Sequence, residues 1–231
     1  MIAAIHQPQF MPWLGYFDKM DQADCFILLD NVQYKKNEWQ NRNRIKGSQG
    51  PQWLTVPVQF QFPALIIEVA INPSDPWRRK HLQGLKADYA RAPHGAEYEA
   101  GFEAFYASEW DGLAAVNRAS VEFLRDALDI ETPLALASEM ELSSEPTQRL
   151  IDICKAVGAD TYLAGVDGKS YMDLDLFAAA QLEIAVQNYE SPTYSQLHGE
   201  FVSHLSALDL LLNCGPDSGK ILRSGRKNRP I

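Results

Sequence analysis

Cysteine is scarce in this sequence, and its three residues, Cys25, Cys154 and Cys214, are too far apart for a CxxC or a Cys/His metal-ligand cluster. They read as isolated thiols in a reducing compartment. No apolar run approaches the roughly 20 residues of a membrane-spanning helix, so no membrane partner is expected. The apolar start Met1–Ile5 lacks a basic leader and is too short for a signal peptide, which leads to a cytoplasmic expectation. Positive charge is also in short supply: 21 Lys and Arg against 30 Asp and Glu, a net charge of -9. Broad nonspecific binding to nucleic acid needs a basic face, so only a local basic cleft remains open. No internal repeat or linker divides the chain. Residues 1–217 read as one α/β domain, followed by a tail, 218–231.

The residues present alternate between apolar runs and helical stripes. Ile2–Ile5, Cys25–Leu29, Leu134–Ala137, Thr161–Ala164 and Leu182–Val186 read as strands, and Gln52–Val58 and Leu65–Ile71 as two more, the first weakened by Pro57. Helical spacing predominates near 75–128, where Leu82, Leu85, Tyr89, Phe102, Phe105, Tyr106 and the stripe from Leu113 to Leu128 suit core packing. Further helices are predicted after Ser144, with Pro146 in the first turn and Gly158 as the C-cap, at Tyr171–Ala180 and at Phe201–Leu212. The pattern predicts a mostly parallel sheet with helices on both faces, Rossmann-like, with a helical insertion near 75–128.

Ligands of such sheets sit beyond the carboxyl ends of the strands. His6 and Gln7 follow the first strand; Asp30, Asn31 and Gln33 follow the second. A carboxylate beside an imidazole orients it and raises its basicity, so His6 and Asp30 form a candidate proton-transfer pair, or else two strand-end caps. The run Lys35 to Arg44 interleaves Lys35, Lys36, Arg42 and Arg44 with Asn41 and the ring of Trp39, a composition suited to phosphate and to a base or sugar. Gly165 to Tyr171 follows another strand and includes Gly168 and Lys169. It lacks P-loop spacing and reads as either a ligand-approaching turn or an ordinary connection. No metal site and no cofactor is expected. The tail contains Lys220, Arg223, Arg226, Lys227 and Arg229, and reads as a mobile basic arm or a solubilising end.

Several segments together resemble one family. They are Ile5-His6-Gln7-Pro8, Pro12-Trp13-Leu14-Gly15-Tyr16-Phe17, Leu29-Asp30-Asn31-Val32-Gln33-Tyr34, Trp39 to Arg44, Trp53-Leu54-Thr55-Val56-Pro57, Tyr162-Leu163-Ala164-Gly165 with Gly168-Lys169 and Tyr171, Gln196-Leu197-His198-Gly199, and Leu205 to Pro216. The combination is similar to the WbqC-like family across nearly the whole chain. Asp30-Asn31 stands where that family commonly has Asp-Asp, which argues against a two-carboxylate mechanism. The opening strand and loop also resemble HIGH-type nucleotidylyltransferases, with the second histidine of that motif broken near Tyr16. This likeness bears on fold alone, and a nucleotidylyltransferase-like variant of the sheet is implied by it only.

The resemblance implies an enzyme acting on a phosphorylated or nucleotide-linked substrate. The expected activity is a transferase that attaches a small amine or an amino acid such as glycine in surface polysaccharide biosynthesis. An alternative is amino-acid transfer onto an activated base in hypermodified phage DNA. A noncatalytic module that binds a nucleotide-sugar is the third reading. The resemblance also raises His198 to a catalytic candidate beside His6 and Asp30. Substrate contacts are expected from Lys36, Arg42, Arg44 and Trp39 of the cationic run, and from Gln7, Trp13, Tyr16, Asn31, Gln33, Asn41, Gly165, Lys169 and Tyr171.

Overall fold

A computed structural model describes residues 1–166, 168–170 and 172–227. The chain begins with strand β1 (Ile2–His6), helix α1 (Leu14–Asp21) and strand β2 (Cys25–Leu28). Strands β3 (Arg42–Gly47) and β4 (Gly50–Thr55) form a hairpin, and β5 (Val58–Gln59) pairs with β6 (Ala70–Ile71). Helices α2 (Trp77–Asp88), α3 (Gly95–Ala107) and α4 (Leu113–Ala127) make up the helical insertion. The remainder alternates: β7 (Leu134–Leu136), α5 (Pro146–Ala156), β8 (Thr161–Ala164), α6 (Leu174–Ala179), β9 (Glu183–Val186), α7 (Ala207–Cys214) and α8 (Ser218–Ser224).

Five strands form one parallel sheet in the order β7-β2-β1-β8-β9. Along β1, Ala3 and Ile5 join one buried cluster with Ile27, Tyr162, Ala164, Ile151 and Phe177, whereas Ala4 joins another with Phe26, Leu28, Leu163, Phe17 and Leu208. Helices thus cover both faces, which is why these strands are continuously apolar instead of alternating. The architecture is α/β and Rossmann-like. The chain leaves β1 toward β2 on one side and returns through β8 on the other, so the carboxyl ends of β1 and β8 border the switch point at which such sheets open a crevice. Among the described residues no helix is long and apolar enough to cross a membrane.

Several local expectations are corrected. Glu145, not Ser144, caps α5, its carboxylate accepting from the backbone N–H groups of Thr147 and Gln148. Gly158 does adopt a left-handed φ of 73° after α5. Asp173 and Ser206 cap α6 and α7, so these helices start later than their apolar stripes suggest. The predicted strand Gln52–Val58 is broken around Pro57 into β4 and β5. Leu65–Ile71 divides into a 3-10 turn at Ile66–Glu68, closed by the Leu65 N–H donating to Glu68 at 2.7 Å, and the short strand β6. The end of the cationic run, Arg42 and Arg44, lies on strand β3, whose Ile45 is buried with Leu54 on the hairpin's inner face. The basic arm is not free through Lys227. Arg223 pairs with Asp21 at 2.8 Å, and Arg226 pairs with Asp18 at 3.0 Å and with Asp21 at 2.7 Å, pinning α8 to α1. Arg229 lies outside the described residues.

Candidate functional site

The end of β1 delivers His6 to the switch point. A cavity of about 640 Å³ opens there, lined by His6, Gln7, Lys19, Gln33, Lys35, Thr147, Arg149 and Gly165 together with apolar side chains. Lys19, Lys35 and Arg149 bring positive charge, and no Asp or Glu lines the cavity among the described residues. A second cavity of about 400 Å³ shares His6, Lys19 and Gly165 and adds Trp13, Tyr16, Gln187 and Tyr189.

The ring of His6 lies 4.7 Å from that of Tyr16. Its Nδ1 lies 3.0 Å from the Gln7 carbonyl oxygen. A carbonyl only accepts, so Nδ1 carries the proton and Nε2 keeps a free lone pair in the neutral ring. Burial, and then the charge of Lys19, depress the imidazole to about 3. Lys19 comes from the inward face of α1 and is itself almost wholly buried. Its ammonium donates to the Ile5 carbonyl at 2.8 Å, and burial lowers it to about 7.

Buried amides bind the loops flanking the cavity. Gln40 donates to the Gln7 side chain at 2.7 Å and accepts from the Lys35 backbone N–H at 2.8 Å. From α4, Asn117 donates to the carbonyls of Pro8 at 3.2 Å and Gln40 at 2.7 Å, while Ser120 accepts from the Met11 N–H at 3.1 Å. Asn117 and Ser120 sit on the buried side of α4, where hydrophobic spacing alone suggests only packing.

The expected residues divide. His6, Gln7, Trp13, Tyr16, Gln33 and Gly165 do line the two cavities. Asp30 does not pair with His6. It is buried and accepts from Ser138, from the N–H at 2.9 Å and the hydroxyl at 2.7 Å, because β7 lies beside β2 and brings Ser138 to its end. Asn31 likewise donates to the Ala137 carbonyl at 3.1 Å, and Asn41 to the Val56 carbonyl at 2.9 Å; both tie segments of the scaffold together. His198 is exposed, with Nε2 donating to the Asp88 carbonyl at the end of α2 at 2.7 Å, and lines neither cavity. Lys36 is exposed and lines neither cavity. Tyr171 and the Lys169 side chain lie outside the described residues. Lys19, Lys35, Arg149 and Tyr189 are cavity residues that the list of expected contacts omits.

Trp39, Arg42 and Arg44 belong to a separate surface. The Arg42 guanidinium stacks 4.2 Å from the Trp53 ring, Arg44 lies 5.8 Å from Trp39 and 5.7 Å from Trp53, and the two indoles are 5.6 Å apart. Both indoles are exposed. Arg44 and Trp53 are direct cross-strand partners, so the hairpin register assembles this patch.

A model of the WbqC-like protein family matches residues 7–221, a range that begins one residue after His6. The chain is 37% identical over 228 residues to the uncharacterised protein Rv1507c of Mycobacterium tuberculosis, a match that covers 97% of this chain and 98% of that one. No solved structure matches. A family model spanning nearly all of the fold, together with a relative alike along its whole length, shows that the chain belongs to the WbqC-like protein family.

Proposed function

We propose that the protein is a transferase that attaches a small amine or amino acid to an activated, phosphate-bearing substrate such as a nucleotide-linked sugar. The observation that supports this reading is the cationic cavity at the switch point. An acidic chain places Lys19, Lys35 and Arg149 around a neutral histidine and keeps described carboxylates out of the lining. Phosphate oxygens meet these cations. The lone pair of the amine nitrogen forms the new bond to the activated carbon. The electrons of the broken bond depart with the phosphate-bearing group, whose charge Lys19 and Arg149 offset. Nε2 of His6 takes the proton that the nitrogen sheds. Burial depresses His6 most and the Lys19 charge adds to it; a bound phosphate offsets the second of these.

His6→Ala is expected to lower turnover by about a hundredfold or more while leaving affinity for the phosphate-bearing substrate largely intact. Mass spectrometry of a nucleotide-sugar panel incubated with glycine is the assay. Unchanged turnover in the variant would remove His6 from the chemistry.

The exposed Trp39, Trp53, Arg42 and Arg44 patch favours a second reading, in which the same transfer acts on an activated base in DNA. Indole faces stack on bases, and guanidinium groups meet phosphates. DNA affinity that falls steeply with salt and drops in Trp53→Ala supports this version. Absence of DNA binding at low salt excludes it.

A further inference from the structure

Residues two apart on a strand share a face, so Arg42 and Arg44 lie on the same side of the hairpin as their cross-strand partners Thr55 and Trp53. The arginine–carboxylate pairs among the described residues use Arg118, Arg125, Arg223 and Arg226, and neither Arg42 nor Arg44. Arg42 donates to the Asn37 carbonyl and lies over the Trp53 ring; Arg44 lies within reach of both indoles. The run from Lys35 to Arg44 carries four cations and one acid, Glu38, in a chain of net charge -9. Trp39 and Trp53 are 38% and 46% exposed, although aromatic surface left in water forfeits about 25 cal/mol per Å². Exposed indoles beside arginines without carboxylate partners suit a ligand that is flat on one part and anionic on another.

A nucleotide has both parts: a base to stack on an indole and a phosphate to meet a guanidinium. The face is open, whereas a free small molecule is held in a cleft that encloses most of its surface. An open platform adds affinity to a ligand that is also held elsewhere. Lys35 lines the large cavity, and the four residues from it to Trp39 span at most about 14 Å. Gln40, next to Trp39, donates to the side chain of Gln7, another cavity residue, at 2.7 Å. A duplex keeps its base faces stacked on one another, out of reach of an indole; an unpaired strand offers them.

We infer that the face formed by Trp39, Trp53, Arg42 and Arg44 binds single-stranded nucleic acid and holds the nucleotides that flank the one entering the large cavity. The inference deepens the second reading above and rests on it for the entry of a base into the cavity. Binding of the strand to the face stands without the transfer. Stacking is indifferent to base identity, so the face carries little sequence preference.

Fluorescence anisotropy of the full-length protein with a labelled oligothymidylate, alone or paired with oligoadenylate, tests the inference. The single strand is expected to bind about tenfold or more tighter than the duplex at low salt. Trp39→Ala and Trp53→Ala are each expected to weaken it about fivefold or more, and Trp53→Phe, which keeps a stacking face, is expected to retain most of the affinity. Two phosphate contacts at about 0.7 each predict that the Arg42→Gln, Arg44→Gln double variant flattens the slope of log affinity against log salt by about 1.4. Circular dichroism confirms that each variant is folded. Duplex bound as tightly as the single strand, strand binding indifferent to both tryptophan variants, or binding of an acidic oligosaccharide such as oligogalacturonate in place of the oligonucleotide overturns the assignment. Turnover separates it from the reaction. Strand binding with these dependences but no transfer onto any base sinks the second reading and leaves the face. Transfer onto an activated base that ignores Trp39→Ala and Trp53→Ala sinks the face and leaves the reading.

Discussion

Asp209 and Lys19 are both ionisable groups buried on helices, and the molecule surrounds them in opposite ways. Asp209 on α7 accepts from Tyr89 at 2.6 Å, Tyr194 at 2.8 Å and Gln196 at 2.9 Å. Gln196 in turn accepts from the Lys46 ammonium at 3.2 Å and from the Val202 N–H at 2.8 Å. The two tyrosine hydroxyls here point at an acid. Around Lys19 the ammonium has one carbonyl and lies 5.7 Å from the Tyr162 ring, and no carboxylate lines its two cavities among the described residues. The first cluster is complete and joins β3, the end of α2, α7 and the 194–202 loop into scaffold. The second is a lone cation at the wall of two cavities. Gln196 and Tyr16 both fall in segments that carry the family pattern, so that pattern does not tell scaffold from site; hydrogen-bond accounting does.

Breaking the complete cluster is expected to have the largest effect. Asp209→Ala takes the acceptor from the Tyr89 and Tyr194 hydroxyls and the opposite charge from near Lys46, and is expected to cost about 3–5 kcal/mol of stability by urea denaturation. A loss below about 1 kcal/mol would erase the contrast. Next comes Lys19→Met, expected to stabilise the fold at neutral pH while removing activity. Lys19 titrates near 7 in the folded protein and near 10.4 in an unfolded chain. Between those values the unfolded state binds more protons, so this group makes stability rise with pH from about 7 to about 10. The methionine variant is expected to flatten that rise, and an unchanged slope would show that Lys19 is not desolvated.

A smaller effect lies on the acid side. His6 at about 3 and His81 at about 4 are both depressed by burial below the unfolded value near 6.5. Their contribution is present above that value and is lost as pH falls through the folded values. His6→Asn is expected to remove part of the decline in thermal stability between pH 6.5 and 3, with His81 keeping the rest. The smallest effect belongs to Tyr16→Phe, expected to leave the melting temperature unchanged or slightly raised, since it deletes an unpartnered hydroxyl. A large loss of stability there would mean that the hydroxyl is satisfied in the free protein.

Much of the frame was legible before any tertiary contact was known. Thr161–Ala164 is a strand at its predicted bounds because four apolar-compatible residues sit between polar turns. The ends of α6 and α7 were not, because Asp173 and Ser206 outbid the apolar residues before them by capping free N–H groups. In the site, His6, Gln7 and Gly165 could be placed from strand ends alone. Lys19 left only a faint trace: a cation among Tyr16, Phe17 and Met20 on a helix that is buried all round from Leu14 to Met20. The β3–β4 hairpin was hidden by its own outer face, where Arg42 and Arg44 resemble a charged loop.

By itself, then, the sequence determined the parallel α/β class, the buried strands and the presence of His6 at a strand end, since these follow from local hydrophobic runs and turn residues. Tertiary structure decided which charges meet. Placing β7 beside β2 gave Asp30 to Ser138, and placing β8 beside β1 opened the cavities that His6 and Lys19 line together. The reason is physical: burial is encoded locally, whereas the partner of a buried polar group is set by strand order, and strand order brings together residues more than a hundred positions apart.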